Sequence, residues 1–259
     1  MSEPRQGEKD QGAKVPAQGE RGGRMRAFAG NTFDDYYDHA LCEHPLPGRL
    51  LIGAVVRILW VVTKLLWPWR LERAELLLDD PRGRVVIMNH ESMLDPVVAV
   101  VSMWMAHVPV RIVYKSEFDK IRPATWLFSR AGGFPVERGT ADMKTVRRAR
   151  AMLQRGECVL IYPEGTRVRS DAEARSHGGY AIMAQLAKAP VQPLAIIGAR
   201  RLRFRQRVVM RAGEPIEWGE LSHLKRKEQV AEMERLGMER VYELRDALRA
   251  ENPGVEEVS

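Results

Sequence analysis

Cysteine is scarce in this sequence, and its scarcity excludes several classes of protein. Only Cys42 and Cys158 occur among 259 residues. Two separated cysteines provide neither a disulfide framework nor the paired spacing of a zinc site. Cys158 lies in an apolar run, which predicts a buried small hydrophobic side chain. We therefore expect a protein of a reducing compartment.

Long apolar runs are also missing. No stretch of 18 uncharged apolar residues occurs, so the sequence predicts no ordinary transmembrane span. The first apolar run begins near residue 50, which does not fit a secretory signal. Residues 1–28 are poor in apolar side chains and are predicted to form a disordered tail.

Positive charge, in contrast, is in excess. The formal net charge is +7 at pH 7, with 41 Lys and Arg against 34 Asp and Glu. This excess favours an anionic partner, and composition alone does not choose between nucleic acid and an anionic lipid surface. Hydrophobic residues make up 45% of the chain, which is enough for the core of one sizeable domain.

Residues 50–69 are typical of a helix that lies in a membrane interface. The stretch is apolar apart from Arg57 and Lys64, which share one helix face because they are seven residues apart. Tryptophans gather towards its end, at positions 60, 67 and 69. Basic side chains can meet lipid phosphates there while indoles sit at headgroup depth. The alternative is a helix packed on the domain core or on a partner subunit.

After this helix, short apolar strands alternate with helical stretches. Strands are predicted at 84–88, 110–114, 133–136, 158–162 and 191–197, and helices at 94–106, 121–131, 140–155 and 178–188. This alternation predicts an α/β fold with a mostly parallel mixed sheet flanked by helices. An amphipathic helix is further predicted at about 226–250.

Residues 200–211 carry six arginines. As a strand or hairpin, the stretch would present a basic face, since arginines alternate with other residues from 201 to 207. The alternative is an edge strand protected by its charge. Phe204 is its only aromatic residue, so the stacking side chains of a nucleic-acid site are lacking, and we expect no nucleic-acid partner.

Residues able to perform catalysis follow the strand at 84–88 directly. His90 and Asp95 are five residues apart, which would place them about 140° apart around a continuous helix. A turn after His90 and a helix start near Asp95 would bring them together, and Asp95-Pro96 suits such a start. The carboxylate would then hold one imidazole nitrogen and leave the other as a base. A purely structural pair is the alternative.

A second polar block, Pro163 to Arg167, follows the strand at 158–162. Gly165 permits close approach of the backbone, Thr166 can donate a hydrogen bond, and Arg167 can hold a phosphate through two hydrogen bonds. Glu164 is itself an anion and does not suit a phosphate site. For this residue, an orienting or structural role is therefore as well supported as a role in substrate binding. Taken alone, the block could also be an ordinary turn.

In this order the blocks resemble the 1-acylglycerol-3-phosphate acyltransferases, a family of glycerolipid acyltransferases. Asn-His-x4-Asp at 89–95 is followed by Gly-Gly-Phe-Pro-Val-Glu-Arg at 132–138, Pro-Glu-Gly-Thr-Arg at 163–167 and a proline-containing apolar strand at 191–196. The resemblance covers residues 84–198. It implies transfer of an acyl group from acyl-CoA or acyl-carrier protein to the sn-2 hydroxyl of lysophosphatidate, giving phosphatidate without a covalent acyl-enzyme, a metal or a cofactor.

The resemblance also implies residue roles. His90 is the general base and Asp95 orients it. Arg138, Thr166 and Arg167 hold the acceptor phosphate, with Lys115 contributing. The complete substrate-binding set comprises Lys115, Arg138, Glu164, Gly165, Thr166 and Arg167. Residues 168–177 depart from the family pattern, so another lysolipid or hydroxyl acceptor is an alternative, and a non-catalytic anionic-lipid-binding protein is another.

A serine hydrolase using Ser92 is not favoured, because the Gly-x-Ser-x-Gly turn is missing. We expect the enzyme at the cytoplasmic face of the cell membrane, peripheral or monotopic, with the anionic membrane surface as a partner. The predicted organisation is a tail at 1–28, a segment with the membrane-associating helix at 29–72, the acyltransferase core at 73–222 and a C-terminal helix and tail at 223–259.

Overall fold

The computed structural model describes residues 28–136, 143–167 and 179–255. Its helices are α1 Phe33–Asp38, α2 Leu46–Leu66, α3 Glu75–Leu78, α4 Leu94–Met105, α5 Arg122–Arg130, α6 Met143–Gln154, α7 Gly179–Ala187 and α8 Arg226–Glu251. Its strands are β1 Trp69–Glu72, β2 Val85–Met88, β3 Val110–Lys115, β4 Phe134–Val136, β5 Cys158–Ile161, β6 Val191–Ile197 and β7 Val208–Ala212. The predicted tail, apart from Phe28, lies outside the described residues.

The strands form one seven-stranded sheet in the order β1-β7-β6-β2-β5-β3-β4. Neighbouring strands are parallel except for β6 and β7, which are antiparallel. The predicted α/β fold with a mostly parallel mixed sheet is therefore confirmed. Strands β2 to β6 all end on one side, which we call the carboxyl end of the sheet. Because β7 and β1 run the opposite way, they begin at this same end.

The central strand β2 is buried on both faces, as its unbroken apolar sequence predicts. Val86 and Met88 contribute to the core under α2 and α4, whereas Val85 and Ile87 contribute to the core under α6, α7 and α8. Complete burial of such a side chain is worth about 1.5–3 kcal/mol. β2 is thus firmly fixed, and so is the point where it ends.

Helix α2 has two different faces. One face, with Ile52, Val56 and Thr63 buried, packs on the domain beside α4. The other face is apolar and exposed, and consists of Leu46, Leu50, Leu51, Ile58, Val61, Val62 and Leu65. We call these residues the apolar face of α2. In the described ranges, neither α2 nor any other helix has the length and apolar character needed to cross a membrane.

Two features near the sheet edge differ from the sequence-based prediction. Residues 69–72 form β1, a strand that the sequence did not predict, because they pair with β7, a partner remote in sequence. A strand over 200–207 is wrong, since only Val208–Ala212 is a strand; the stretch instead joins β6 to β7 as the loop of an antiparallel hairpin, the other shape considered from the sequence. The backbone turns there instead, with Gln206 N–H donating to the Arg203 carbonyl at 3.0 Å.

Cys158 is buried in the core as predicted. Burial raises the pKa of its thiol to about 11, which keeps the thiol protonated and unreactive at neutral pH.

Candidate active site

Asn89 fixes the chain where β2 ends. Its side-chain amide donates to the Ile196 carbonyl at 2.9 Å and accepts the Ile196 N–H at 2.9 Å. Both atoms of the buried amide are thus bonded to the backbone of the neighbouring strand β6. The residue that follows, His90, therefore leaves the sheet at a defined position and in a defined direction.

His90 and Asp95 form the pair predicted from the sequence. His90 Nδ1 lies 3.0 Å from Asp95 Oδ2, although the residues are five apart. The chain turns after His90 and α4 begins at Leu94, so Asp95 occupies the second helical position rather than the N-cap. A carboxylate in the first helical turn is stabilised by the helix dipole.

Asp95 is completely buried, yet four donors satisfy its oxygens. Besides the imidazole, Oδ2 accepts the N–H groups of Glu91 at 2.6 Å and Ser92 at 2.7 Å. Oδ1 accepts the Ser92 hydroxyl at 3.0 Å. Because a carboxylate only accepts hydrogen bonds, His90 carries its proton on Nδ1 and leaves Nε2 free to accept another. The pair therefore has the geometry of a base and its orienting group.

Tyr162 supports the imidazole from the side. Its ring lies against the His90 ring, with centroids 4.5 Å apart and planes tilted by 36°. Its buried hydroxyl has no hydrogen-bond partner among the described residues. Burial, and then the charge of Asp95, raise the pKa of Tyr162 well above its usual value. Sequence reasoning missed this contact, since Tyr162 read as the last residue of an apolar strand.

Glu164 links the two polar blocks. Its Oε2 accepts the His90 N–H at 2.7 Å, and its Oε1 accepts the Tyr242 hydroxyl at 3.0 Å. Both oxygens thus face protein donors, and the residue is 4% exposed. Burial raises the pKa of Glu164, while these two hydrogen bonds oppose the shift. The geometry supports the orienting role that the sequence left open, not direct contact with an anion.

The rest of this block faces outwards. Gly165 has a φ of +66°, which only glycine adopts without strain, and its N–H donates to the Tyr162 carbonyl at 2.9 Å. The turn exposes Thr166 and Arg167. Neither side chain has a hydrogen-bond or ion-pair partner in the described part of the chain. Both can therefore meet a ligand beside His90.

The structure places Lys115 at the carboxyl end of the sheet. It is the last residue of β3, two strands from β2 in the sheet, or about 10 Å at the usual strand spacing. Lys115 is in register with Val136, the last residue of β4. Arg138 follows two residues later and lies outside the described residues.

Two arginines surround Glu91, the neighbour of His90. Glu91 is buried, and its Oε1 lies 3.7 Å from an Arg200 nitrogen and 3.6 Å from an Arg249 nitrogen. Arg249, like Tyr242, belongs to α8. The C-terminal helix thus contributes two side chains to the support of the His90 loop. The sequence offered no signal for this, because α8 lies about 150 residues away and reads as an ordinary amphipathic helix.

Among residues 28–136, 143–167 and 179–255, no three His, Cys, Asp or Glu side chains are close enough together to hold a metal ion.

Comparisons with known proteins converge on one kind of enzyme. The acyltransferase family model matches residues 74–197, which include both polar blocks. The chain is 27% identical over 172 residues to the 1-acyl-sn-glycerol-3-phosphate acyltransferase of Bacillus subtilis, a match that covers 64% of this chain and 83% of that protein. It is 24% identical over 180 residues to the enzyme of the same name from Streptococcus pneumoniae, covering 67% and 64%.

A third relative acts on a different lipid. It is the lyso-ornithine lipid O-acyltransferase of Pseudomonas aeruginosa, 32% identical over 111 residues, or 42% of this chain and 41% of the relative. Among solved structures, the 1-acyl-sn-glycerophosphate acyltransferase of Thermotoga maritima superimposes with a TM-score of 0.55 at 21% identity, covering 76% of this chain and 81% of that one. This likeness shows a shared fold.

Proposed function

Because the chain belongs to the glycerolipid acyltransferase family, as its sequence predicted, we propose that it acylates the sn-2 hydroxyl of 1-acylglycerol-3-phosphate to give phosphatidate. The acyl donor is the thioester of acyl-CoA or acyl-carrier protein. The observation that carries the proposal is the His90–Asp95 pair at the end of β2, beside a block that exposes Thr166 and Arg167.

The pair can drive the transfer in a simple sequence. His90 Nε2 removes the proton of the acceptor hydroxyl while its oxygen attacks the thioester carbonyl. Asp95 stabilises the imidazolium, a new C–O bond replaces the C–S bond, and the departing thiolate takes the proton from His90. General base catalysis contributes about 10²–10⁴-fold, so positioning of the two substrates supplies much of the remaining rate.

The acceptor phosphate is assigned to the cations at the carboxyl end of the sheet. Arg167 is exposed on the turn beside His90, and Lys115 ends β3 nearby. Together with Thr166 and with Arg138, they provide charge and hydrogen-bond donors for a phosphate.

The proposed site of action is the cytoplasmic face of the cell membrane, with the protein peripheral or monotopic. The apolar face of α2 supports this, because Leu50 and Leu65 are 65% and 60% exposed within a continuous apolar surface. Adjacent exposed apolar side chains are typical of an interaction site, and both substrates carry acyl chains that partition into a bilayer.

Release of free thiol from acyl-CoA or acyl-carrier protein, with lysophosphatidate as acceptor, tests the proposal. We expect turnover by the native protein and its loss in His90→Ala. His223→Ala, at an exposed histidine, is the matched control and should retain turnover. Unchanged thiol release in His90→Ala would contradict the general-base assignment.

A second acceptor is favoured by one observation, the similarity to a lyso-ornithine lipid acyltransferase. Comparison of kcat/KM for lysophosphatidate and lyso-ornithine lipid decides between them. Arg138→Ala and Arg167→Ala should each reduce use of lysophosphatidate far more than use of the phosphate-free acceptor. Equal losses on both acceptors would show that these arginines do not read the phosphate.

A further inference from the structure

A loop rich in arginine lies at the carboxyl end of the sheet, beside the catalytic pair. Residues 199–207, which we call the arginine loop, connect the end of β6 to the start of β7. They contain five arginines and no acidic residue. The role of this loop in acyl transfer is not explained by the acid–base chemistry of His90.

Three of the arginines lack internal partners. Arg203, Arg205 and Arg207 are exposed, and their side chains form no ion pair or hydrogen bond with the described residues. Elsewhere on the surface, Arg82, Arg211 and other arginines pair with carboxylates. A cluster of like charges without counter-charges is repulsive, so the loop is suited to an external anion.

The backbone conformation of the loop also indicates a binding role. Arg205 has a φ of +60°, in the left-handed region that favours glycine. A non-glycine residue held there is strained, and such positions cluster at functional sites. An arginine side chain is therefore kept where glycine would fit with less strain.

The loop continues the apolar surface of α2. The Arg205 N–H donates to the Leu66 carbonyl at 2.6 Å, and the Val208 N–H donates to the Pro68 carbonyl at 3.0 Å. Phe204, at the tip, is 73% exposed, more than any residue of the apolar face of α2. A cavity of about 530 Å³ lies between the arginine loop and the first residues of β1, lined by Pro68, Trp69, Arg70, Arg205 and Arg207 among others. Cationic, aromatic and apolar groups thus form one continuous surface.

We propose that the arginine loop and the adjoining end of α2 bind the anionic phospholipids of a bilayer. Arg203, Arg205 and Arg207 contact headgroup phosphates, Phe204 inserts among the acyl chains, and the cavity receives one headgroup. A nucleic acid fits less well, because it needs several stacking aromatics and does not match an adjoining apolar helix face. The inference rests on the proposed function only in placing the enzyme at a membrane.

This surface reaches the catalytic loop through one residue. Arg200, at the start of the arginine loop, forms the 3.7 Å ion pair with Glu91, next to His90. A bilayer bound at Arg203–Arg207 therefore lies at the same end of the sheet as the catalytic base. A lysolipid can reach His90 from that bilayer without its acyl chain crossing bulk water.

Vesicle sedimentation tests the inference, with phosphatidylcholine alone or mixed with phosphatidylglycerol. Changing Arg203, Arg205 and Arg207 together to Gln should weaken binding to the anionic vesicles about 100-fold, at the usual contribution of each basic side chain near an anionic surface. Phe204→Ser should weaken binding to both vesicle types about 10-fold, because an inserted aromatic ring is lost. The matched control changes Lys227, Arg235 and Arg240 on α8 to Gln, with the same loss of charge.

Thermal unfolding checks that each variant is folded, and the loop triple variant should unfold no earlier than the native protein. Anionic-vesicle binding equal to that of the α8 control would overturn the inference. So would loss of oligonucleotide binding without loss of vesicle binding, or displacement from vesicles by inorganic phosphate alone. Native turnover of lysophosphatidate in neutral detergent micelles is measured in parallel; its absence would contradict the proposed function instead.

Discussion

Two loops at the carboxyl end of the sheet differ in where their polar side chains lie: in one they are buried and paired, and in the other they are exposed. In the loop at 89–95, three polar side chains turn inwards: Asn89 is hydrogen-bonded to β6, Asp95 is hydrogen-bonded to four donors, and Glu91 is ion-paired with two arginines. In the arginine loop, Arg203, Arg205 and Arg207 point outwards without such partners. The contacts of the first loop hold His90 in one position, whereas the second loop presents its arginines to an anion outside the protein.

The difference has an energetic basis. Removing one partner from a buried, hydrogen-bonded carboxylate leaves other groups unsatisfied and costs about 1–3 kcal/mol or more. Exposed arginines carry no such penalty, so changing them alters binding rather than folding. Substitutions in the two loops should therefore have separable consequences.

The largest effect is expected for Asp95→Asn. The amide cannot accept from all four donors, and its NH₂ group opposes the Nδ1–H tautomer of His90. We expect turnover to fall about 10²–10⁴-fold, the range of general base catalysis, and the free energy of unfolding to fall as well. Thiol release and thermal unfolding measure both. Asp79→Asn, at an exposed aspartate, should change neither; a native rate in Asp95→Asn would show that the pair is only structural.

Glu164→Ala should lower turnover about 10–100-fold, because a displacement of the base by even 1 Å is costly. Glu164→Gln should recover most of the activity, since its carbonyl can accept the His90 N–H and its NH₂ can donate to the Tyr242 oxygen. For a positioning residue, kcat falls while KM for lysophosphatidate stays constant. A rise in KM without a fall in kcat would instead show that Glu164 takes part in binding lysophosphatidate.

Tyr242→Phe should have a smaller effect that depends on pH. The Tyr242 hydroxyl lowers the pKa of Glu164, so its removal raises that pKa further above the usual value. A larger fraction of Glu164 is then protonated as the pH falls, and a neutral carboxyl holds the His90 N–H less tightly than the carboxylate does. As the pH is lowered, the variant should therefore begin to lose activity at a higher pH than the native enzyme does. In a Glu164→Gln background, Tyr242→Phe should leave the acidic limb unmoved; a shift there would exclude Glu164 as its source.

The smallest effect is expected for Arg205→Gly. Glycine adopts a φ of +60° without strain, so the free energy of unfolding should rise by about 1 kcal/mol and the thermal midpoint should rise with it. Binding to anionic vesicles should weaken, because one arginine is lost. Arg203→Gly is the matched control, because Arg203 has no positive φ and glycine there should lower stability. Stronger vesicle binding by Arg205→Gly would contradict the assignment of Arg205 to the lipid surface.

Sequence patterns predicted the parts of the site that lie close together along the chain. Asp95-Pro96 signalled the helix start that brings Asp95 to His90, and the strand before each polar block was predicted from its apolar run. The same patterns did not decide residues 200–207, where alternating arginines allowed either a strand or a hairpin. The chain turns there because it is bonded to the end of α2, a contact that periodicity does not report. The predicted domain limits and the tail remain predictions.

By itself, the sequence determined the alternation of strands and helices, the resemblance to the acyltransferases and the pairing of His90 with Asp95, because these depend on periodicity and on neighbours a few residues apart. Only the tertiary structure decided that Tyr242 and Arg249 of α8 support the His90 loop, that Glu164 faces inwards and that the arginine loop adjoins α2. These contacts depend on the order of the strands and on how the helices pack, because both bring together residues that are far apart in the sequence.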